Sequence, residues 1–171
     1  MTDIKLFERW VKNALKNKFV FMPYKNFFVV VDGYTGFKIP NKLSSYKKII
    51  KKQTFQNLKR GFVIRDGEID KWDNLDILEW FDISNKVKAE ILPLSYEDGY
   101  YKMQIFKTKD ELIFVDKQLL KNVNVGNYEI YAESPEKQVI FYSENITYIT
   151  LPIRMNGFRY TIKENEEEEL C

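Results

Sequence analysis

Apolar residues near the start of the chain recur at the spacing of an amphipathic helix. When successive residues are placed 100° apart, one side collects Ile4, Phe7, Val11, Ala14 and Leu15. Thr2 is a suitable N-cap residue, an acidic residue opens the first turn, and lysines occupy the last turn. The pattern predicts a helix over residues 3–17.

The opposite side of this predicted helix is basic, because it carries Lys5, Arg9, Lys12 and Lys16. A row of cations on one helix face is typical of two situations. It is either a lysine face that is simply solvated, or a face that contacts phosphates. The sequence of the helix alone leaves both interpretations open.

Two apolar runs that follow the helix have the composition of strands. β-Branched and aromatic residues dominate residues 18–26 and 27–40, and a Lys25-Asn26 turn separates the two runs. Asp32-Gly33 and Thr35-Gly36 predict tight turns or bulges. Neither pair has the glycine spacing of a phosphate-binding loop, so we interpret these glycines as structural.

Residues 43–85 predict a mixed segment. A lysine-rich helix begins at Ser44 or Ser45, a hairpin turns around Asp66-Gly67, and a second, acidic helical piece covers residues 73–81. The apolar content of this segment is too small for an independent domain. We interpret it as an elaboration of a single domain that spans residues 1–163.

The second half of the chain is mainly β-structure. A short helix over residues 116–123, capped by Asp116, precedes two hairpin strands and a final apolar strand over residues 145–155. Pro152 predicts an edge position for that last strand, because proline donates no backbone hydrogen bond. The predicted fold class is α+β, with antiparallel sheets and a helical and hairpin insertion.

Composition excludes several kinds of chemistry. The 171-residue chain contains no histidine, and its single cysteine is Cys171. Ser-His and Cys-His catalysis, intrachain disulfides and thiolate metal clusters are therefore excluded. We expect no catalytic residue, no metal and no cofactor, and we expect a reducing compartment, the cytoplasm of a bacterial host. The sequence contains no run of 18 apolar residues, so it predicts no membrane-spanning helix.

Charge is nearly balanced but unevenly placed. The formal net charge is +2, yet basic residues cluster over 42–60 and acidic residues cluster over 66–82 and 164–169. The last eight residues, 164–171, predict a disordered acidic tail. Separated charge of this kind can steer a charged partner even when the net charge is small.

The last strand and the elements before it carry a family resemblance. "ELIFVDKQLLKNV" leads through an Asp-Lys pair into a short helix, and Tyr148–Met155 reads aromatic-apolar-Thr-apolar-Pro-apolar-Arg-apolar. This succession resembles the closing part of bacterial-type DNA sliding clamps and of clamp-like phage proteins, with Thr150 departing from an otherwise apolar position. "VVVDGYTGFKIP" is similar to the clamp strand that carries a small Asp-Gly turn.

The resemblance implies a clamp-like domain in which two helices lie side by side against curved sheets. Clamp helices present cations to the DNA backbone without reading bases, which implies DNA-binding roles for Lys5, Arg9, Lys12, Lys16, Lys117 and Lys121. Clamps also bind partner peptides in an apolar pocket, which implies partner-binding roles for Pro152, Arg154 and Met155. A non-enzymatic phage or mobile-element protein that binds DNA or replication partners is the function so implied.

The chain has room for one clamp domain, whereas a clamp subunit has three, so a ring would require homo-oligomerisation. A single clamp-shaped domain is also compatible with a phage inhibitor of a host defence nucleoprotein, such as an anti-CRISPR protein. In that alternative, acidic side chains stand in for phosphates: Asp66, Glu68, Asp70, Asp73, Asp76, Glu79 and Asp82, with Glu164 to Glu169.

A third alternative is a Mg²⁺-dependent enzyme, because carboxylates alone can bind that ion. Asp73, Asp76 and Glu79 recur at three-residue spacing. In an α-helix, that spacing drifts by about 60° at each step, so the three groups do not converge. The sequence therefore predicts that the protein is not an enzyme.

Overall fold

The computed structural model describes residues 2–155. The predicted acidic tail over 164–171 lies outside these described residues, as does the end of the predicted domain over 156–163. The helices are α1 (Asp3–Ala14), α2 (Ser44–Thr54) and α3 (Lys117–Leu120), with 3-10 helices at Asp76–Phe81 and Val125–Asn127. The strands are β1 (Lys18–Tyr24), β2 (Phe27–Val31), β3 (Thr35–Pro40), β4 (Phe62–Arg65), β5 (Glu68–Lys71), β6 (Val87–Lys88), β7 (Glu90–Glu97), β8 (Lys102–Lys107), β9 (Leu112–Asp116), β10 (Glu129–Ala132), β11 (Val139–Tyr142) and β12 (Thr147–Thr150).

The strands form two antiparallel sheets. The larger sheet has nine strands in the order β5-β4-β1-β2-β3-β12-β11-β10-β6, and the smaller sheet has the order β7-β8-β9. Most neighbours in the large sheet are hairpin partners. Three pairs are not hairpins: β4 with β1, β10 with β6, and β12 with β3. The last of these joins the two halves of the chain at the centre of the sheet, with Tyr148 opposite Phe37. The predicted α+β fold with antiparallel sheets and two packed helices is confirmed.

Both faces of the large sheet are buried. Phe19 and Phe21 of β1 belong to the core beneath α1 and α2. Val20 and Met22, which point the other way, pack with Ile77 and other side chains around the 3-10 helix Asp76–Phe81. Strands covered on both sides read as continuous apolar runs, which is why β1 and β2 lack polar alternation.

Residues 43–85, interpreted above as an elaboration, contribute to the large sheet and to the layers on both of its faces. Helix α2 covers one face of the large sheet and the 3-10 helix covers the other. Strand β4 pairs with β1 and extends the sheet, and β5 forms its edge. The hairpin between β4 and β5 turns at Asp66 and Gly67 as predicted, and both have positive φ, 50° and 83°.

A buried hydrogen-bond chain joins α1 to the sheet. The indole N–H of Trp10 donates to Oγ1 of Thr35 at 2.7 Å, and that hydroxyl donates to Oδ2 of Asp32 at 3.0 Å. Oδ1 of Asp32 accepts from the backbone N–H groups of Tyr34 and Thr35. The Thr35 hydroxyl therefore satisfies the largest buried side chain of α1, and Asp32 in the predicted turn holds that hydroxyl in place.

Two predictions for local structure need correction. Thr2 occupies the N-cap position of α1, but its side chain makes no capping hydrogen bond, and the helix ends at Ala14 rather than at residue 17. The acidic segment predicted as helix over 73–81 is a 3-10 helix limited to Asp76–Phe81. The cap at Asp116 is confirmed, because its carboxylate accepts from the N–H of Gln118 at 2.8 Å.

The hydrogen-bond chain predicts the effect of replacing Thr35 by valine. Thr35→Val keeps the shape of the side chain but leaves the buried Trp10 N–H without its acceptor, so the free energy of unfolding should fall by about 1–3 kcal/mol. Urea denaturation measures this change. Thr2→Val is the matched control, because that exposed side chain makes no cap bond. Equal losses in the two variants would contradict the assignment.

Candidate nucleic-acid interface

The cations of α1 point directly away from the large sheet. Its buried side chains are Leu6, Phe7, Trp10, Val11 and Ala14. At 100° per residue, these five centre on the side of the helix opposite Lys5, Arg9 and Lys12, which fall within an arc of about 60°. Lys16 continues the same row in the turn that follows the helix. All four predicted cations of this segment are exposed.

Helix α2 adds a second row of cations with the same orientation. Its buried residues are Tyr46, Ile50 and Thr54. Lys48 and Lys52 are exposed and fall on the opposite side of the helix, and the exposed Lys51 lies on its flank. The sequence of α2 contains no acidic residue. We use the term basic helix face for Lys5, Arg9, Lys12 and Lys16 together with Lys48, Lys51 and Lys52.

The two rows share one outer surface because the helices are neighbours on the same face of the sheet. The rings of Phe7 in α1 and Tyr46 in α2 meet edge to face, with centroids 5.1 Å apart. Both rings belong to the core cluster that contains the sheet residues beneath the helices. The charged sides of α1 and α2 therefore face solvent together.

The charge of the basic helix face is largely uncompensated. Lys12 pairs with Glu8 at 3.4 Å, one helical turn away. Lys5, Lys16, Lys48, Lys51 and Lys52 form no ion pair within residues 2–155. Such a surface attracts polyanions, because these five lysines have no carboxylate partner among the described residues.

The two predicted cations of the third helix occupy different environments. Arg9 donates a hydrogen bond to the backbone carbonyl of Lys121, so Lys121 borders the basic helix face. Lys117 instead lines a cavity of about 310 Å³ with Ile91, Leu92, Pro93, Leu94, Ser95 and Gln104. Helix α3 has only four residues. The helix that packs side by side with α1 is α2, whereas α3, which the resemblance implied as the second cationic helix, meets α1 through the hydrogen bond between Arg9 and Lys121.

Most of the acidic side chains singled out in the sequence lie away from the basic helix face. Those around the 3-10 helix Asp76–Phe81 lie on the opposite face of the sheet from α1 and α2, since that segment packs against the second core cluster. Hydrogen bonds from Ser84 hold the pKa of the exposed Asp82 carboxyl below its usual range, and Asp73 pairs with Lys71 at 2.6 Å. The basic helix face and the acidic 3-10 segment therefore lie on opposite faces of the large sheet.

Asp73, Asp76 and Glu79, the carboxylates spaced by three residues, do not lie on an α-helix as the sequence predicted. A 3-10 helix has three residues per turn, so Asp76 and Glu79 stand one above the other. Asp73 precedes the helix and is engaged by Lys71. Within residues 2–155, no three histidine, cysteine or carboxylate side chains are grouped as metal ligands. No helix in this part of the chain is long and apolar enough to cross a bilayer.

The segment that carries Pro152, Arg154 and Met155 connects the two sheets. The N–H of Leu151 donates to the carbonyl of Tyr34 at 2.9 Å, and the N–H of Ile153 donates to the carbonyl of Phe114 at 2.7 Å. Ile153 and Met155 pack against the outer face of the small sheet, whereas Arg154 is exposed.

The predicted edge position of the last strand is wrong. Strand β12 lies between β3 and β11, in the interior of the large sheet. All four of its residues are buried. Pro152 follows this strand rather than belonging to it, so its missing N–H interrupts no pairing.

The structure resembles bacterial sliding clamps. One match is a protein assigned as a DNA polymerase III beta subunit from Eubacterium rectale, with a TM-score of 0.42, 13% identity and coverage of 91% of this chain and 65% of that chain. A second match is the beta subunit from the DNA polymerase of Streptococcus pyogenes, with a TM-score of 0.40, 10% identity and coverage of 93% of this chain and 64% of that chain. A third is a DnaN sliding clamp from Bartonella birtlesii bound to griselimycin, with a TM-score of 0.40, 8% identity and coverage of 92% of this chain and 63% of that chain.

The clamp-like fold predicted from the sequence is thus confirmed as a resemblance. The chain spans 63–65% of the length of these three clamp chains. No protein-family model matches the sequence, and no curated protein matches it. Identities of 8–13% transfer no residue roles, so the partner-binding roles of Pro152, Arg154 and Met155 stay predictions.

Sequence reasoning missed the contribution of α2 to the basic surface. The signal was present as four lysines without any carboxylate between Ser44 and Thr54. What the sequence could not show is the contact between Phe7 and Tyr46, which places this helix beside α1. Phe55, the exposed residue that ends α2, was also missed.

The contacts of residues 151–155, which connect the two sheets, predict how substitutions there affect stability. Ile153→Ala should lower the free energy of unfolding by about 1–2 kcal/mol, because a half-buried isoleucine leaves the small-sheet core. Arg154→Ala, one residue away and exposed, should change it by less than about 0.5 kcal/mol. Urea denaturation of both variants checks the contrast. A negligible effect at both positions would show that the segment is not docked on the small sheet.

Proposed function

We propose that this protein is a non-enzymatic nucleic-acid-binding protein that holds the phosphate backbone on its basic helix face. The observation that carries the proposal is the pair of adjacent helices whose outward cations share one surface and mostly lack ion-pair partners. Lysine is a compact point charge suited to phosphate contacts that tolerate any base sequence. Binding should therefore be independent of sequence and sensitive to salt.

The side chains of the basic helix face favour backbone contact over base readout. Six of its seven cations are lysines, and Arg9 is already engaged with the carbonyl of Lys121. Base-specific recognition typically uses bidentate arginine, asparagine or glutamine side chains. DNA is the partner that we favour, in keeping with the loose likeness to DNA polymerase beta subunits, although the proposal rests on the helix face alone. Homo-oligomerisation around DNA stays a prediction.

A lysine-to-glutamine series tests this proposal. Lys5→Gln/Lys16→Gln/Lys48→Gln removes three unpaired cations of the basic helix face. Each lost phosphate contact should reduce the slope of log K against log salt by about 1, and affinity for duplex DNA should fall roughly tenfold or more. Fluorescence anisotropy with a labelled duplex of arbitrary sequence, measured over a range of salt concentrations, gives both quantities.

The matched control removes the same charge elsewhere. Lys88, Lys102 and Lys137 are exposed lysines that pair with Glu129, Glu97 and Glu133. Their triple change to glutamine should leave the affinity within about twofold, since these pairs lie outside the basic helix face. Equal losses in the two triple variants would show attraction by net charge alone and would overturn the proposal.

A second candidate is a phage anti-defence inhibitor that binds a host nucleoprotein, such as an anti-CRISPR protein. The observation in its favour is the separate acidic surface around the 3-10 helix, which could face a basic groove as phosphates do. Neutralising Asp76, Glu79 and Asp82 should abolish capture of such a complex from a bacterial host and leave DNA affinity unchanged. Loss of DNA affinity in that variant would count against both candidates.

A further inference from the structure

Phe55 is an unusually exposed aromatic residue at the end of α2. Its side chain is 90% exposed, although most phenylalanines of the described chain are buried or half-buried. Its backbone adopts the left-handed conformation, with φ of 57°, at the helix C-terminus. Glycine is the usual residue at such a position because it has no side chain to clash there. Neither packing nor backbone preference explains a phenylalanine at this site.

The backbone that carries the ring is well anchored. The N–H of Phe55 donates to the carbonyl of Lys51 at 2.8 Å. On either side, the hydroxyl of Thr54 donates to the carbonyl of Ile50 at 3.0 Å and accepts from the N–H of Gln56 at 3.3 Å. These bonds fix the end of the helix, so the ring is displayed from a defined position.

Cations flank this position on both sides in the sequence. Lys51 and Lys52 form the last turn of α2, and Lys59 and Arg60 follow within a few residues and are exposed. Residues 56–60 border two open cavities. One, of about 310 Å³, is lined by Ser44, Lys47, Lys48, Lys51, Asn57, Leu58 and Lys59. The other, of about 540 Å³, is lined by Gln56, Asn57, Lys59, Arg60, Gly61, Phe62, Ile69, Asp70 and Lys71.

The ring itself has no partner in the part of the chain that the structure describes. Among residues 2–155, Phe55 takes part in no aromatic pair and no cation–π contact. A lone exposed ring beside several cations is the arrangement with which proteins stack an unpaired base while holding the adjoining phosphates. A membrane-surface segment would instead expose a whole apolar face.

We propose that Phe55 is a stacking platform for an unpaired base of a single-stranded nucleic acid whose phosphates lie on Lys51, Lys52, Lys59 and Arg60. This inference rests on the proposed function, because the same polyanion is held on the adjoining basic helix face. It adds a preference for single strands, since a duplex hides the faces of its bases from an aromatic side chain. The platform accepts any base, because every base offers a face for stacking.

The decisive variant is Phe55→Gly, which removes the ring and suits the backbone. Because φ is 57° at this position, glycine should keep or raise the melting temperature. Fluorescence anisotropy with a labelled oligo-thymidine of about 12 nucleotides should show a roughly 5- to 150-fold loss of affinity. Affinity for a duplex of the same length should stay within about twofold.

Two further variants sharpen this measurement. Phe55→Trp should retain single-strand affinity, and stacking should quench its emission when oligo-thymidine is added. Tyr100→Gly is the matched control, because Tyr100 is 93% exposed on the turn between β7 and β8, far from the lysines of α2 in sequence. It should leave both affinities unchanged.

Several outcomes would overturn the inference. Unchanged oligo-thymidine affinity in Phe55→Gly would exclude a stacking role, and equal losses for single strand and duplex would show that the ring has no preference for unpaired bases. If wild-type protein binds the duplex normally in either case, the proposed function survives. If wild-type protein binds neither probe, both proposals fail.

Additional probes identify the ligand. Phe55-dependent binding of oligo-uridine that exceeds oligo-thymidine binding would support the platform and assign RNA, and the reverse order would support it and assign DNA. Phe55-dependent binding to anionic phosphatidylserine vesicles, without binding to either oligonucleotide, would overturn it.

Discussion

The hydrogen bond from the Trp10 indole to Thr35 fixes how α1 is rotated on the large sheet. Trp10 is buried between rings, with centroids of Phe37 at 5.1 Å and Phe7 at 6.0 Å. An indole N–H buried without an acceptor would be costly, so the helix has one favourable rotation. Because the buried and charged sides of α1 are opposite, this rotation also directs the basic helix face toward solvent.

The position of α2 follows from the same aromatic core. Tyr46 packs edge to face on Phe7, and burial raises the pKa of the Tyr46 hydroxyl, with the nearby Asp3 carboxylate adding to the effect. Helix α1 is therefore held from below by Trp10 and from the side by Tyr46. The acidic 3-10 helix packs on the other side of the sheet. The basic helix face and the acidic 3-10 segment thus lie on opposite sides of one sheet, and such a local excess of cations lets a nearly neutral chain attract a polyanion.

Periodicity and turn chemistry predicted much of this fold, because those signals are local. The amphipathic spacing located α1, and the pairs Lys25-Asn26 and Asp66-Gly67 located hairpins. The features that the sequence did not predict depend on contacts between residues that are distant in the sequence. The neighbour of α1 is set by the packing of Tyr46, and the interior place of β12 is set by its pairing with β3. The sequence pattern did not show that β12 ends before Pro152, so the proline predicted an edge position for that strand.

The candidate site was likewise predictable from the sequence only in part. The outward row on α1 was predictable from spacing, whereas its union with the lysines of α2 required the tertiary arrangement. Lysine footprinting tests that union most directly: acetylation of wild-type protein is quantified by mass spectrometry with and without bound DNA. The account predicts protection of Lys5, Lys16, Lys48, Lys51 and Lys52, with Lys88, Lys102 and Lys137 unprotected. Uniform protection, or protection confined to the second group, would contradict it.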